Sequence, residues 1–369
     1  MQEIFCYLLN YYLSKFYFAF IFFFISIIFI LLAYFFKRIK VINFILFGIF
    51  LALFIFEFTL ASINIPLFDT MLFFEHYFIN KQNSKVIALR HIKKASGQEQ
   101  LFPTKDINQL LLNNSDVLFD VIYTIYRNDP FVFRYTKGNK DSNTSIVFLG
   151  CSFVFGHGVN DNQTLPYYFS KKYDFKYNVL NFGIRGTGTN FALNIVNSPN
   201  LINKFISKQS RVKYFIYTII YSHVDRNFRT QNNYNCCLLA DGKLSRVQEP
   251  FGIFKVIFKK SYVFDKTFLN LINTKNRSFH EQYLINSVLQ MKNIIKEKYD
   301  AELIIILWPD IKWPDIKQKM VESLKDIDII ALDKKFENEE YSIKNDGHPN
   351  WKANEEIAQI LFDYINNKP

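Results

Sequence analysis

From Ser145 to the C-terminus, short apolar runs alternate with stretches whose apolar residues recur at helical spacing. Runs at 146–149, 177–181, 213–220, 302–307 and 327–332 are short and rich in β-branched and aromatic side chains, which predicts strands. Segments 163–172, 188–197, 280–298 and 351–366 predict helices. Alternation of this kind implies an α/β fold, a parallel sheet with helices on both faces. Such sheets bind ligands at the carboxyl ends of their strands, so the residues just after each run carry the functional reading.

The stretch "SIVFLGCSFVFGHGVNDNQTLPYYF", residues 145–169, ends its strand at Gly150 and sets Ser152 in a turn followed by Gly156 and Gly158. Ser152 reads two ways from this segment alone, as a nucleophile at a strand end or as the cap of a short helix. In "YNVLNFGIRGTGTNFALN", residues 177–194, the glycines at 183, 186 and 188 do not fit the G-x-G-x-x-G spacing of a dinucleotide site. A backbone N–H at Gly183 would instead suit an oxyanion hole. In "SIKNDGHPNWKANEEIAQILFDYI", residues 342–365, Asp346 and His348 precede a helix with an apolar stripe at Ile357, Ile360, Leu361 and Tyr364. That pair reads as a base with an orienting carboxylate, or as a plain Asp-Gly surface turn.

Residues 1–65 are of another kind. Phe16–Phe36 is an uncharged stretch of 21 residues, long enough to cross a bilayer, and Val41–Ile65 is a second apolar stretch interrupted by Glu57. Lys37, Arg38 and Lys40 lie between them. A transmembrane hairpin is expected, with this basic connector cytoplasmic and everything after Ile65 on the outer face of the cell (inner) membrane, in the periplasm. Glu57 either serves a function at membrane depth or reaches the interface or the partner helix.

Residues 66–144 read as a membrane-proximal linker, mixed helix and polar loop over 66–115, then a β-hairpin formed by 120–125 and 131–135. Residues 225–279 are long for a connection; they read as a cap insertion near the site or as packing that closes the sheet edge. Of the net charge of +11, the part after Ile65 carries +9. That balance suits anionic lipid or acidic polysaccharide, or only a solvated surface. The cations are scattered without aromatic interleaving, so no nucleic-acid partner is expected. Cys6, Cys151, Cys236 and Cys237 have no metal-ligand spacing, and Cys151 reads as a small buried residue or as a rival nucleophile.

Taken together, Gly150-Cys151-Ser152, Asn181-Phe182-Gly183 and Asp346-Gly347-His348-Pro349 resemble the sequence blocks of the SGNH hydrolases, also called GDSL-like esterases, over residues 145–369. The resemblance implies a flavodoxin-like three-layer α/β/α domain and a serine esterase or acylhydrolase. It implies Ser152 as nucleophile, His348 as base and Asp346 as orienting acid, with no metal and no cofactor. The chain departs from the family in three places. Cys151 stands where the family's first block, Gly-Asp-Ser, has an aspartate that is not the catalytic one. The family's acid lies three residues before the histidine, where this chain has Asn345. The third block, Gly-x-Asn-Asp, is missing from "YTIIYSHVDRN", residues 217–227, where His223 falls at the position of the asparagine donor. His223 there either donates to an oxyanion together with the Ser152 and Gly183 N–H groups, or simply packs. An esterase acting on O-acyl groups of a cell-surface glycan is the expectation. The alternatives are an O-acyltransferase that uses the same serine, or a catalytically silent binding module.

Overall fold

In a computed structural model the chain is described at residues 23–29, 45–52, 55, 86–95, 99–103, 117–128, 131–227, 237–240, 243–246, 277–309 and 314–368. The sheet and the candidate site belong to one of two compact units, Phe68–Val247 with His280–Pro369.

Among the described residues nine strands form one sheet. They are β1 (Val86–Lys94), β2 (Glu99–Pro103), β3 (Val117–Asn128), β4 (Phe131–Arg134), β5 (Thr144–Gly150), β6 (Asn178–Gly183), β7 (Arg211–Ile219), β10 (Glu302–Leu307) and β11 (Asp328–Ala331). Their order is β11-β10-β7-β5-β6-β4-β3-β1-β2. A separate antiparallel pair, β8 (Cys237–Ala240) and β9 (Lys243–Arg246), lies in the segment 225–279.

The five strands β6, β5, β7, β10 and β11 are parallel. Numbered among themselves they run 2-1-3-4-5, a doubly wound order. The chain leaves β5 toward β6 and returns on the other side as β7. The carboxyl end of β5 is therefore a topological switch point, the place where open α/β sheets bind ligands. Ser152 lies two residues beyond that end.

Side-chain alternation along these strands divides the core in two. Val147, Leu149, Phe215, Tyr217 and Ile305 face helices Thr189–Val196 and Arg277–Tyr299, meeting Phe191, Ile195, Leu284 and Met291. Ile146, Phe148, Ile216, Ile304 and Ile306 face helices Leu165–Lys172 and Trp351–Asn366, meeting Phe169, Ile357 and Leu361. Strands covered on both faces read as continuous apolar runs rather than alternating ones. Each such side chain contributes about 1.5–3 kcal/mol on burial.

The sheet is mixed rather than wholly parallel. β4, β3, β1 and β2 extend it antiparallel beyond β6, and among the described residues the two parts join through one pairing, Arg134 opposite Asn181. The expectation of mixed helix and polar loop over 66–115 is corrected here, because β1 and β2 lie in that segment. On β1 the buried residues Leu89, His91 and Ile92 break the apolar–polar alternation that marks a half-buried strand. The extension has its own core, in which Leu89, Phe119, Val121 and Tyr123 pack on Phe155 and Val159 of the loop after β5.

The expected membrane segments lie largely outside the described residues, as do Lys37, Arg38, Lys40, Glu57, Cys6 and Cys236. Helix is described at 23–29 and 45–52, where the rings of Phe29 and Phe50 stack with centroids 5.4 Å apart. Among the described residues no helix is long and apolar enough to cross a membrane.

Candidate active site

β5 ends at Gly150 and is followed at once by the one-turn helix Ser152–Phe155, which Gly156 ends in the left-handed conformation at φ 83°. Cys151, fully buried, holds the N-cap position and makes no side-chain cap bond. Ser152 is thus the first helical residue, not the cap, and its hydroxyl turns elsewhere: Ser152 Oγ lies 2.8 Å from His348 Nε2.

His348 arrives from the opposite end of the domain on a tight loop before helix Trp351–Asn366. Ile343 N–H donates to the His348 carbonyl at 2.8 Å, and the Asp346 and Gly347 N–H groups donate to the Ile343 carbonyl. Asn345 takes the left-handed conformation at φ 58°, which asparagine tolerates better than most residues. Asn345 is therefore a turn residue. Asp346, two before the histidine, receives His348 Nδ1 on Oδ1.

The protonation states follow from these contacts. Burial pushes the Asp346 carboxyl up, but His348, followed by Lys93, outweighs it through hydrogen bonds and charge and holds the carboxyl below its ordinary value. An ionised carboxylate only accepts. His348 therefore donates Nδ1–H to Asp346, which leaves Nε2 bare to accept the Ser152 hydroxyl proton. The Asp346 side chain is 1% exposed and that of His348 23%, so the imidazole is the more open of the two. Phe153 forms an apolar wall, its ring 5.3 Å from that of His348 and 4.9 Å from that of Trp308.

The two other expected oxyanion donors are engaged elsewhere. The Gly183 N–H donates to Asn181 Oδ1 at 2.9 Å. Gly183 serves close packing instead: a Cβ there would lie 2.3 Å from the Phe155 nitrogen. His223 is fully buried with Nδ1 2.9 Å from the Tyr217 hydroxyl. Tyr217 donates its own proton to Thr189 Oγ1 at 3.0 Å, so its oxygen accepts from His223 Nδ1–H. Burial, and after it the charge of Arg226, pushes the His223 imidazole well below its ordinary value and keeps it neutral. Nε2 then carries a lone pair and no proton, without a hydrogen-bond partner among the described residues. His223 packs in the core with its Nδ1 held against the Tyr217 hydroxyl. The Ser152 N–H remains available, because the first N–H groups of a helix have no intrahelical acceptor.

Several site residues escaped the reading of the sequence. His157, between Gly156 and Gly158, sits with its ring 4.4 Å from that of His348 and its Nε2 3.8 Å from Asp346 Oδ2. Burial foremost, then the nearby His348, Arg185, His91 and Lys93, pushes this imidazole well below its ordinary value. Lys93 of β1 pairs through Nζ with Asp346 Oδ2. Arg134, at the end of β4, is 2% exposed and donates to the Phe155 carbonyl at 2.9 Å, the Val159 carbonyl at 2.7 Å and Asp161 Oδ1 at 2.9 Å. A histidine between two glycines in the same strand-end loop as Ser152 was a signal in the sequence; Lys93 and Arg134 had none.

His157, Asp346 and His348 bring potential metal-ligand atoms within 4.8 Å of one another. His348 is committed to Ser152 and Asp346, and Asp346 also to the Lys93 ammonium, which a cation would have to displace. The cluster does not fit a metal.

No family model matches the chain, and no curated protein matches it. Solved structures similar to it include the psychrotrophic esterase EstA from Pseudoalteromonas sp., 13% identical, covering 61% of this chain and 97% of that one at a TM-score of 0.37. The SGNH-hydrolase family esterase AlinE4 is 12% identical and covers 61% of this chain and 96% of its own at 0.32. A variant of Axe2, an acetyl xylan esterase from Geobacillus stearothermophilus, is 13% identical and covers 62% and 97% at 0.33. All three are esterases by name. The chemistry of this chain is read from its own side chains.

Proposed function

We propose that the chain is a serine esterase whose nucleophile is Ser152, with His348 as general base and Asp346 as the acid that orients and stabilises it. The observation that carries this reading is the continuous line from Ser152 Oγ, 2.8 Å from His348 Nε2, through the ring to Nδ1 on Asp346. His348 Nε2 takes the hydroxyl proton as Oγ adds to the ester carbonyl, and Asp346 stabilises the imidazolium that results. The Ser152 N–H faces the charge that develops on the carbonyl oxygen. When the tetrahedral intermediate collapses, the ester C–O bond breaks and the leaving alkoxide takes the proton from Nε2. Water then repeats the sequence on the acyl-serine, losing a proton to His348, and the acid is released.

The reading extends to an extracytoplasmic esterase held at a membrane and acting on an acylated carbohydrate. What supports the anchoring is the pair of apolar stretches Phe16–Phe36 and Val41–Ile65 around Lys37, Arg38 and Lys40. The test of the chemistry is hydrolysis of a short-chain aryl ester by the full-length chain and by Ser152→Ala. The proposal expects turnover by the first and none by the second; equal turnover by a folded Ser152→Ala overturns it.

A further inference from the structure

We propose that Lys93 is a positioning residue for this site: by holding the outer oxygen of Asp346 it sets how strongly that carboxylate draws a proton onto His348. The inference rests on the serine-esterase reading above for its meaning.

Asp346 divides its two oxygens. Oδ1 receives His348 Nδ1, and Oδ2 receives the Lys93 ammonium, with His157 Nε2 3.8 Å away. The ammonium comes from β1, a strand of the antiparallel extension and 253 residues from Asp346 in sequence. Two features of β1 aim it there. His91 and Lys93, two apart on a strand, share one face; His91 approaches His157 with ring centroids 5.1 Å apart. The β1–β3 register also shifts between Lys93 and Lys94, an irregularity of the kind that re-aims a side chain beside a site. The Lys93 side chain is 15% exposed and that of Asp346 1%, so little water screens the pair.

The electrostatic consequence has a definite sign. An aspartate alone raises the pKa of the imidazole it bonds, because it favours the imidazolium. A cation on the far oxygen cancels much of that field, so the paired carboxylate favours the imidazolium less than a bare one would. The other groups around the pair are His157, whose neutral ring packs on His348, His91 behind it, Tyr123, whose hydroxyl lies 2.9 Å from His91 Nδ1, and Arg185, 3.5 Å from His157 Nδ1. Arg185 acts in the same direction as Lys93 but from behind His157. Lys93 is the cation that touches Asp346 itself. A general base works best when its pKa lies close to the working pH and the base is free of its proton.

The experiment is a histidine-selective NMR titration of the full-length chain, with the His348 signal assigned by His348→Gln. Lys93→Met and Lys93→Gln remove the charge; Lys93→Arg keeps it. The proposal expects the His348 pKa to rise by about one unit or more in the neutral variants and to stay at the wild-type value in Lys93→Arg. The acid limb of kcat/KM on an aryl ester should move with it. An unmoved His348 titration in either neutral variant that melts as a folded protein overturns the proposal. Lys93→Gln retains a hydrogen-bond donor for Oδ2, which guards against a Lys93→Met chain that fails to fold. The outcomes separate the two readings. Ser152-dependent hydrolysis with an unmoved titration removes Lys93 and leaves the esterase. A shifted titration in a chain that hydrolyses no ester leaves the electrostatic role of Lys93 and removes the esterase.

Discussion

Arg134 and Asp161 meet through Nε and Oδ1 at 2.9 Å, and the rest of the guanidinium is spent on the carbonyls of the loop between them in sequence. The antiparallel extension thereby holds the loop that carries Ser152 and His157. Removing the guanidinium leaves Asp161 without its cation and the Phe155, Gly156 and Val159 carbonyls without this donor. Arg134→Met is expected to lose about 3–5 kcal/mol of stability, measured by denaturant unfolding. Asp161→Asn should lose less, since Arg134 keeps its carbonyl partners.

Asp346→Asn should lower kcat/KM by about 10⁴, because an amide cannot stabilise the imidazolium and favours the wrong tautomer. Asn345→Ala should leave kcat close to wild type. Its cost falls on stability, about 1–2 kcal/mol for an alanine in the left-handed region, and Asn345→Gly should recover it. Steady-state kinetics and thermal melting on the same preparations distinguish the two positions.

Gly183 and His223 yield opposite outcomes. A methyl group at Gly183 would meet the Phe155 nitrogen at 2.3 Å and push the Ser152 turn away from His348. Gly183→Ala is expected to lose about 10²-fold in kcat/KM through misplacement of the nucleophile. His223→Ala should lose stability, while its kcat/KM falls far less than the 10²–10³ or so that a missing oxyanion donor costs.

The Asp346 carboxyl also leaves a mark on stability against pH. Its folded-state pKa lies below the ordinary value of 3.8. Its contribution is therefore present above the unfolded pKa and is lost as pH falls through the folded one. The gap in melting temperature between wild type and Asp346→Asn should be widest above about pH 5 and should close as the solution is acidified below about pH 4.

Much of this arrangement was legible in the sequence, and the exceptions have physical causes. The strands of the parallel part announce themselves as apolar runs because both faces are covered, and Ser152, Asp346 and His348 stand out because they follow or precede such elements at one sheet end. Strand β5 begins earlier than its apolar run because Ser145 is buried through hydrogen bonds to Ser210 at 2.6 Å and Asn178 at 3.2 Å. The duties of Gly183 and His223 are set by Asn181 and Tyr217, side-chain partners whose geometry no periodicity encodes. β1 was hidden because its inward face carries His91 and Lys93, the residues it brings to the site.

The central claim, that Ser152 is a nucleophile activated by His348, is tested most directly by a fluorophosphonate probe on the full-length chain, with the modified peptide identified by mass spectrometry. Phosphonylation requires an activated side chain but no knowledge of the natural substrate. The account predicts one adduct, on Ser152, absent from Ser152→Ala and nearly absent from His348→Ala. An adduct on Cys151, or none on a folded wild-type chain, would contradict it.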